Sequence, residues 1–241
     1  MSVTRASWLN RQRGVTLYVV LIFVLLSMLL VLWASRTALF GEMVVGNDAD
    51  YQRAFEAAQA LLQDAELDIR NENATGGACV NGGQPCRQGK KQLPGEGAKL
   101  TGWFVELQSE APATGCKDAL CIKRAGPGDF WNDKNALALM TAPGVGARYG
   151  EMTGAQAGKG ANPILAEASD PNKGGWYWIE VLPYHQGQGG PGVIVDASVP
   201  AILPLHLNPN VVYRITALTY GRKPSTKVVL QETYADKPLA N

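Results

Sequence analysis

The sequence predicts an α+β fold in which a long N-terminal helix packs on an antiparallel sheet, with a large glycine-rich loop region between them. Three observations predict it: an uncharged apolar run near the N-terminus, an amphipathic stretch after it, and strand-like runs near the C-terminus. The 241 residues suffice for one good hydrophobic core. The formal net charge of +1 gives no basic field to hold a nucleic acid directly.

The apolar run, residues 15–34, contains no charged residue. As a helix rising about 1.5 Å per residue it spans about 30 Å, the hydrocarbon thickness of a bilayer. We therefore predict a transmembrane helix over residues 15–36, in preference to a buried helix of a soluble protein. Because basic residues crowd its N-terminal side, the positive-inside rule places residues 1–13 in the cytoplasm and residues 37–241 outside it. The basic residues before the run are Arg5, Arg11 and Arg13.

Residues 48–70 are predicted to form an amphipathic helix, joined to the first helix through a junction that Gly41 and Gly46 weaken. Apolar residues recur at alternating steps of four and three and form one stripe, which needs a sheet to pack on. The stripe consists of Tyr51, Phe55, Ala58, Leu62, Ala65 and Ile69. The opposite, polar side of the helix consists of Gln52, Glu56, Gln59, Gln63 and Glu66.

The four cysteines form two close pairs in a segment predicted to be exported, where disulfides persist. Four cysteines allow three connectivities, and proximity favours Cys79 with Cys86 and Cys116 with Cys121. A zinc site is the alternative. The spacings of six and four intervening residues, and the lack of a flanking histidine, argue against it.

Residues 71–175 hold most of the 27 glycines and are predicted to be mainly loop, fixed by the disulfides. Within them, residues 101–108 and 119–124 are predicted strands and residues 135–142 a short helix. The region 176–235 is more regular. Its predicted strands cover 175–184, 211–221 and 226–235, and the last two form an antiparallel hairpin in a sheet of about four or five strands.

No catalytic or metal site is evident, so we predict no enzyme activity, no metal and no cofactor. The segment GAQAGKGAN (154–162) has glycine after its GK pair and no preceding strand, unlike a phosphate-binding loop. The two histidines are too few for a metal triad, and the loop aspartates lack a calcium-ligand spacing. Four tryptophans could form a sugar- or surface-binding patch, but core packing or contact with a neighbouring subunit is the more common use. These candidates are His185, His206, Asp129, Asp133, Asp170, Trp103, Trp131, Trp176 and Trp178.

The segment RQRGVTL (11–17) ahead of a long apolar helix resembles a class III prepilin leader. The resemblance implies that a prepilin peptidase removes residues 1–14 by cutting between Gly14 and Val15, and that Val15 is then N-methylated. The following segment, SRTALFGEMVVGNDADYQRAFEAAQALLQDAE, is similar to the N-terminal signature of PilX-type minor pilins of type IV pili. The matching positions are Glu42, Met43, Gly46, Asn47, Asp50, Ala54, Phe55, Ala57, Ala58, Ala65 and Glu66, and residues 213–217 and 228–234 are similar to the closing strands.

The resemblance implies a pilin-like fold and a role in priming or capping a type IV pilus, on which twitching motility and adhesion depend. It implies insertion in the inner membrane, a periplasmic domain, and later a place in the pilus at the cell surface. The partners would be other minor pilins, the major pilin, the prepilin peptidase, the inner-membrane assembly platform and membrane lipid. Major pilins carry glutamate at the fifth mature position, where this chain has Val19. Subunits without that glutamate tend to lie at or near the filament tip.

Three alternatives remain at this stage. A pseudopilin of a type II secretion system shares the leader and the missing glutamate. A periplasmic binding protein or enzyme held by a single uncut span would be insensitive to changes at Gly14. A secreted protein cut after Ala38 would need an unusually long apolar segment in its signal.

Overall fold

The structure is a computed structural model and describes residues 13–79, 86–93, 99–123, 129–156, 162–185, 193–194 and 211–236. The chain forms two compact units, and the boundary between them lies between Ala49 and Asp50. The helices are α1 (Arg13–Ile69), α2 (Leu100–Glu110) and α3 (Lys134–Met140), with a 3₁₀ turn at Phe130–Asn132. The strands are β1 (Cys116–Lys117), β2 (Leu120–Ile122), β3 (Gly175–His185), β4 (Val193–Ile194), β5 (Val211–Tyr220) and β6 (Lys227–Tyr234).

Helix α1 runs without interruption for 57 residues, which confirms the predicted long N-terminal helix with an apolar half and an amphipathic half. Gly41 and Gly46 do not break it. A helical glycine costs only about 1 kcal/mol relative to alanine, and strong helix formers such as Leu39 and Met43 surround both positions.

From Asp50 onward, one face of α1 is buried. The predicted stripe is confirmed at Ala58, Leu62, Ala65 and Ile69, which lie in the main core. Tyr51 differs, because its side chain is 48 % exposed and stacks on Phe55. The covered face is also wider than one stripe, because the sheet and several loop segments contact further positions on either side of it. The additional buried residues are Ala54, Ala57, Leu61, Asp50, Asp64 and Asp68.

The main sheet has the strand order β1-β2-β3-β5-β6, and β4 pairs separately with β3. The predicted α+β class is confirmed, and the three long C-terminal strands lie within one residue of their predicted bounds. The β5–β6 hairpin is antiparallel as predicted. One pair departs from the antiparallel pattern, because β2 runs parallel to β3.

The two faces of the sheet pack in two separate core clusters. Successive side chains of a strand point to opposite faces. Tyr177 accordingly packs toward α1, whereas Trp176 and Trp178 pack in the second cluster with Phe130 and Met140. The two-residue periodicity of the strand thus divides these three aromatic residues between the two faces.

The region between α1 and β3 has more regular structure than its glycine content predicts. Residues 101–108 were predicted to form a strand, and this was wrong, because they lie in α2. The buried residues of α2 are Leu100, Trp103 and Leu107, whose spacing of three and four is helical. Two other predictions hold in part: the strand expected over 119–124 is the shorter β2, and the helix expected over 135–142 is α3.

Two glycine-to-alanine substitutions should have opposite effects on stability. A Cβ at Gly146 would lie 2.6 Å from Trp178 Nε1, whose N–H donates to the carbonyl of Met140. We expect Gly146→Ala to lower the free energy of unfolding by about 1–3 kcal/mol. A Cβ at Gly102, in α2, meets nothing within 4 Å. Gly102→Ala should therefore raise the free energy of unfolding by up to about 1 kcal/mol. Urea unfolding of both variants tests this, and equal effects would contradict the described packing.

Candidate assembly site

The first functional feature is the apolar surface of α1 before Asp50. Large apolar side chains from Val15 to Val45 are exposed around the whole helix. In the part of the chain that the structure describes, α1 is the helix long and apolar enough to cross a membrane, with a mean hydropathy of 3.0 in its most apolar window. A helix that is apolar on all sides requires lipid or other apolar helices as its surroundings.

The residues predicted to form the processing site lie at the beginning of this helix. Gly14 and Val15 belong to the first turn of α1, and the side chain of Val15 is exposed. Val19 lies one turn further along and is also exposed. Arg5 and Arg11 lie outside the described residues. Processing after Gly14 and methylation of Val15 stay predictions.

The second feature is the anchorage of α1 in the globular unit by three buried aspartates. Asp50, Asp64 and Asp68 are each less than 5 % exposed. The step from residue 50 to residue 64 is about four helical turns and that from 64 to 68 about one, so all three share one face of α1. Each carboxylate accepts hydrogen bonds from a different segment of the chain.

Asp50 holds the turn between β5 and β6. Its carboxylate accepts hydrogen bonds from the backbone N–H groups of Arg222, at 2.9 Å, and Lys223, at 3.1 Å. Burial by itself would raise the pKa of Asp50, but hydrogen bonds from Thr226 and from these two N–H groups hold it below its ordinary value. The first turn of α1 in this unit is thus fixed to the end of the sheet.

Asp64 holds the segment 148–154. Its carboxylate accepts hydrogen bonds from the backbone N–H of Gly150, at 2.7 Å, and from the Thr153 hydroxyl. Burial raises the pKa of Asp64 to about 6, and the neighbouring Asp68 charge adds to the increase. The two hydrogen bonds oppose the shift without reversing it.

Asp68 forms a buried ion pair with Arg87. Nε and Nη2 of Arg87 donate to the two carboxylate oxygens of Asp68, each at 2.5 Å, and the Tyr177 hydroxyl donates to Oδ2 at 3.0 Å. Nη1 of Arg87 donates to the carbonyls of Lys91 and Asp118, each at 2.9 Å. Burial alone would lower the pKa of Arg87, but the Asp68 carboxylate holds it above its ordinary value. Each nitrogen of the guanidinium thus donates to at least one acceptor, which offsets the cost of removing Arg87 and Asp68 from water.

Arg87 belongs to a short segment, residues 86–92, that we call the strap. Gln92 Nε2 donates to the carbonyl of Arg87, and the indole N–H of Trp103 in α2 donates to the carbonyl of Gln92 at 2.9 Å. The backbone N–H of Lys91 donates to the Asp118 carboxylate, also at 2.9 Å. The strap is thereby held against α1, α2 and the β1–β2 hairpin.

Both disulfides border this arrangement. Cys79 is joined to Cys86, with Cα atoms 5.9 Å apart, and Cys116 to Cys121, with Cα atoms 4.1 Å apart. These are the pairs that proximity in the sequence favours. The Cys116–Cys121 bond closes the β1–β2 hairpin, whose two-residue turn, Asp118 and Ala119, has positive φ angles of 49° and 66°. Such a turn normally uses Asn-Gly, so the crosslink and the strap contacts stabilise an unfavourable backbone.

Sequence reasoning missed Asp64, Asp68 and Arg87, and it identified Asp50 only as a position of the family signature and not as a buried anchor. The signal was present, because each aspartate interrupts the apolar face of a helix at a position where a buried carboxylate requires a partner. The partners lie between 19 and 173 residues away along the chain. No local pattern identifies them.

The other residues that the sequence offered as candidates either pack in the core or bond to neighbouring residues, or they lie outside the described residues. Trp103, Trp176 and Trp178 are buried, and Trp131 packs partly against the second core cluster, which confirms core packing over a sugar-binding patch. Asp133 caps the N-terminus of α3. Asp170 accepts from the backbone N–H of Asn172, and Asp129 from the Asn132 side chain. Residues 157–161, His206 and the side chain of His185 lie outside what is described, and the described residues contain no acidic, histidine or cysteine cluster of three that could hold a metal ion.

An exposed apolar helix that continues into a helix packed on a sheet defines a membrane-anchored subunit with a pilin-like fold. Residues 91–236 match the family model described as type IV pilus assembly protein PilX, C-terminal. The match covers more than half of the 241 residues, so the chain belongs to the PilX family and is a minor pilin of type IV pilus assembly. Comparison with curated proteins and with solved structures gave no match. The family match lies wholly outside the N-terminal signature at residues 11–70, so these two observations are independent.

The raised pKa of Asp64 predicts a specific pH dependence of stability. Between pH 4 and pH 6 the folded protein holds a proton on Asp64 that the unfolded chain has lost. The free energy of unfolding therefore falls as the pH rises, by about 3 kcal/mol for a shift of about two pH units. Asp64→Asn should remove this contribution, whereas Glu56→Gln, on the exposed face of α1, should leave it. Urea unfolding from pH 4 to 7 measures it, and identical slopes for the parent and Asp64→Asn would contradict the assignment.

Proposed function

We propose that this minor pilin primes or caps the type IV pilus and lies at or near the filament tip. The observation that carries the proposal is the combination of PilX family membership with a valine, Val19, at the position where major pilins have glutamate. A subunit of this kind acts by assembly and performs no catalysis. Its direct partners are other minor pilins and the major pilin.

The apolar part of α1 is the assembly handle. In the inner membrane it holds the subunit in lipid, and in the filament it packs among equivalent helices. Lipid and helix surfaces are similarly apolar, so packing and polar contacts decide whether a subunit moves from one to the other. A carboxylate within this helix would be costly in lipid and would gain from pairing with the N-terminal ammonium of a neighbour. Val19 offers no such pairing, which favours a scarce initiating subunit over a repeated one.

Processing and orientation follow from the leader. The prepilin peptidase cuts between Gly14 and Val15, Val15 is N-methylated, and the N-terminus of the precursor lies in the cytoplasm. The globular unit is periplasmic before assembly and docks laterally on other minor pilins within the assembly platform. Two disulfides fit a compartment in which such bonds persist. Twitching motility and adhesion depend on the subunit indirectly, through the pilus.

Replacing the glycine before the cleavage point should block processing. We expect Gly14→Leu to accumulate the precursor, because the peptidase accepts a small residue there. Gly41→Leu is the matched control, since it places the same side chain in the same helix where a Cβ meets nothing within 4 Å. Mass spectrometry of the N-terminus measures the result. A normal Val15 N-terminus in Gly14→Leu, or an intact Met1 in the parent, would contradict the leader assignment.

Deleting the gene should remove or sharply reduce surface pili while leaving the secretion of extracellular enzymes unchanged. Electron microscopy of sheared surface filaments and enzyme assays of the culture medium measure the two outcomes separately. Complementation with the parent gene is the control. Normal pili together with lost secretion would instead identify a pseudopilin of a type II secretion system.

A further inference from the structure

The two disulfides differ in their access to solvent. Cys79 and Cys86 are half-buried, whereas Cys116 and Cys121 are 1 % and 0 % exposed. Thiol–disulfide exchange requires that the attacking thiolate reach a sulfur atom. We therefore expect a small dithiol in solution to reduce the Cys79–Cys86 bond before the Cys116–Cys121 bond.

The accessible bond is directly joined to the buried ion pair. Cys86 precedes Arg87 in the chain, and Arg87 is 4 % exposed. On the other side of the bond, the backbone N–H of Cys79 donates to the carbonyl of Asn71, two residues beyond the end of α1. The bond thus ties the beginning of the strap to the helix that carries Asp68.

We propose that the Cys79–Cys86 disulfide is a redox latch that seats Arg87 against Asp68. In the oxidised protein the strap is held so that the guanidinium enters the core with every described hydrogen bond in place. In the reduced protein the strap leaves the helix, and Arg87 and Asp68 return to water. Oxidation outside the cytoplasm thereby completes the anchorage of α1, whichever filament the subunit serves.

The closing step is an ordinary disulfide exchange. One cysteine thiolate attacks the disulfide of a protein thiol oxidant and forms a mixed disulfide, and the second thiolate then displaces the oxidant. The Sγ–Sγ bond of Cys79 and Cys86 forms, and the two cysteines lose two electrons and two protons. The disulfide of the oxidant takes up both and becomes a dithiol. Opening is the reverse reaction with a dithiol reductant.

The physical reason for coupling is the cost of burying Arg87. Moving a guanidinium and a carboxylate out of water costs several kcal/mol for each ion, and the pair repays this only in a well-defined geometry. A free strap would lose conformational entropy each time it adopted that geometry. The disulfide removes much of this entropy beforehand, and the Asp118 hairpin, closed by the buried disulfide, supplies a fixed acceptor on the far side.

A double-mutant cycle on the full chain in detergent micelles tests the coupling. Cys79→Ser with Cys86→Ser removes the latch, and Asp68→Leu with Arg87→Met replaces the ion pair by apolar side chains. Loss of loop closure alone raises the unfolding equilibrium constant roughly 50-fold in either background. If the latch seats Arg87, the increase in the parent exceeds that in the apolar background by about tenfold or more.

The control is a second double-mutant cycle in which the exposed ion pair between Glu167 and Lys173 is replaced by Glu167→Gln with Lys173→Met. Replacing this pair should leave the effect of removing the latch unchanged. Equal losses in the parent and apolar backgrounds overturn the proposal. The proposal is also overturned if the chain without the latch is unfolded in both the parent and the apolar background. A chain that loses its fold without the latch and regains it in the apolar background supports the proposal.

Selective reduction gives a second readout that needs no substitution. Dithiothreitol is added until mass spectrometry shows only the Cys79–Cys86 bond open, and the indole N–H signals are followed by NMR. The Trp103 signal reports on the strap through its hydrogen bond to Gln92, and the Trp178 signal, bonded to the carbonyl of Met140, is the control. We expect the Trp103 signal to move and the Trp178 signal to remain. An unchanged Trp103 signal contradicts the latch, and so does loss of both signals.

Discussion

The buried ion pair between Asp68 and Arg87 is the interaction on which the globular unit depends. It joins α1 to β3 through Tyr177, to the strap through Arg87, and to the β1–β2 hairpin through the carbonyl of Asp118. Buried ion pairs are poor sources of net stability, yet removing one partner is costly, because the other charge stays buried without compensation. The pair therefore acts mainly as a specificity device: it fixes which segments meet the last turns of α1.

The same helix has two environments, and this division connects the fold to the assembly of pili. Before Asp50, α1 presents apolar side chains on every side, and from Asp50 onward one face is covered by the sheet and by three loop segments. An apolar helix can serve as a handle only if force or binding energy applied to it reaches the rest of the subunit. Under the proposed function, the aspartates at 50, 64 and 68 supply that connection, because each is bonded to a different segment of the globular unit.

The parts of the fold that periodicity determines could be predicted from the sequence. The apolar run, the stripe from Ala58 to Ile69 and the strands around Trp178 and Ile215 each follow a local pattern that burial enforces. Residues 101–108 could not be assigned, because the run Trp103-Phe104-Val105 has the aromatic and β-branched composition of a strand. The helical spacing becomes visible only when Leu100 is included with Trp103 and Leu107. The aspartate anchors could not be predicted, because a buried carboxylate is stable only with partners that tertiary structure brings from distant positions.

The most direct test of this account is the stability of the Arg87→Met variant of the full chain, measured by urea unfolding at pH 7. The substitution keeps most of the volume of the side chain and leaves Asp68 buried without its counter-ion. The account predicts a loss of about 3–5 kcal/mol in the free energy of unfolding, against less than about 1 kcal/mol for Lys173→Met at an exposed pair. Equal losses of less than about 1 kcal/mol in both variants would contradict the central place given to the ion pair.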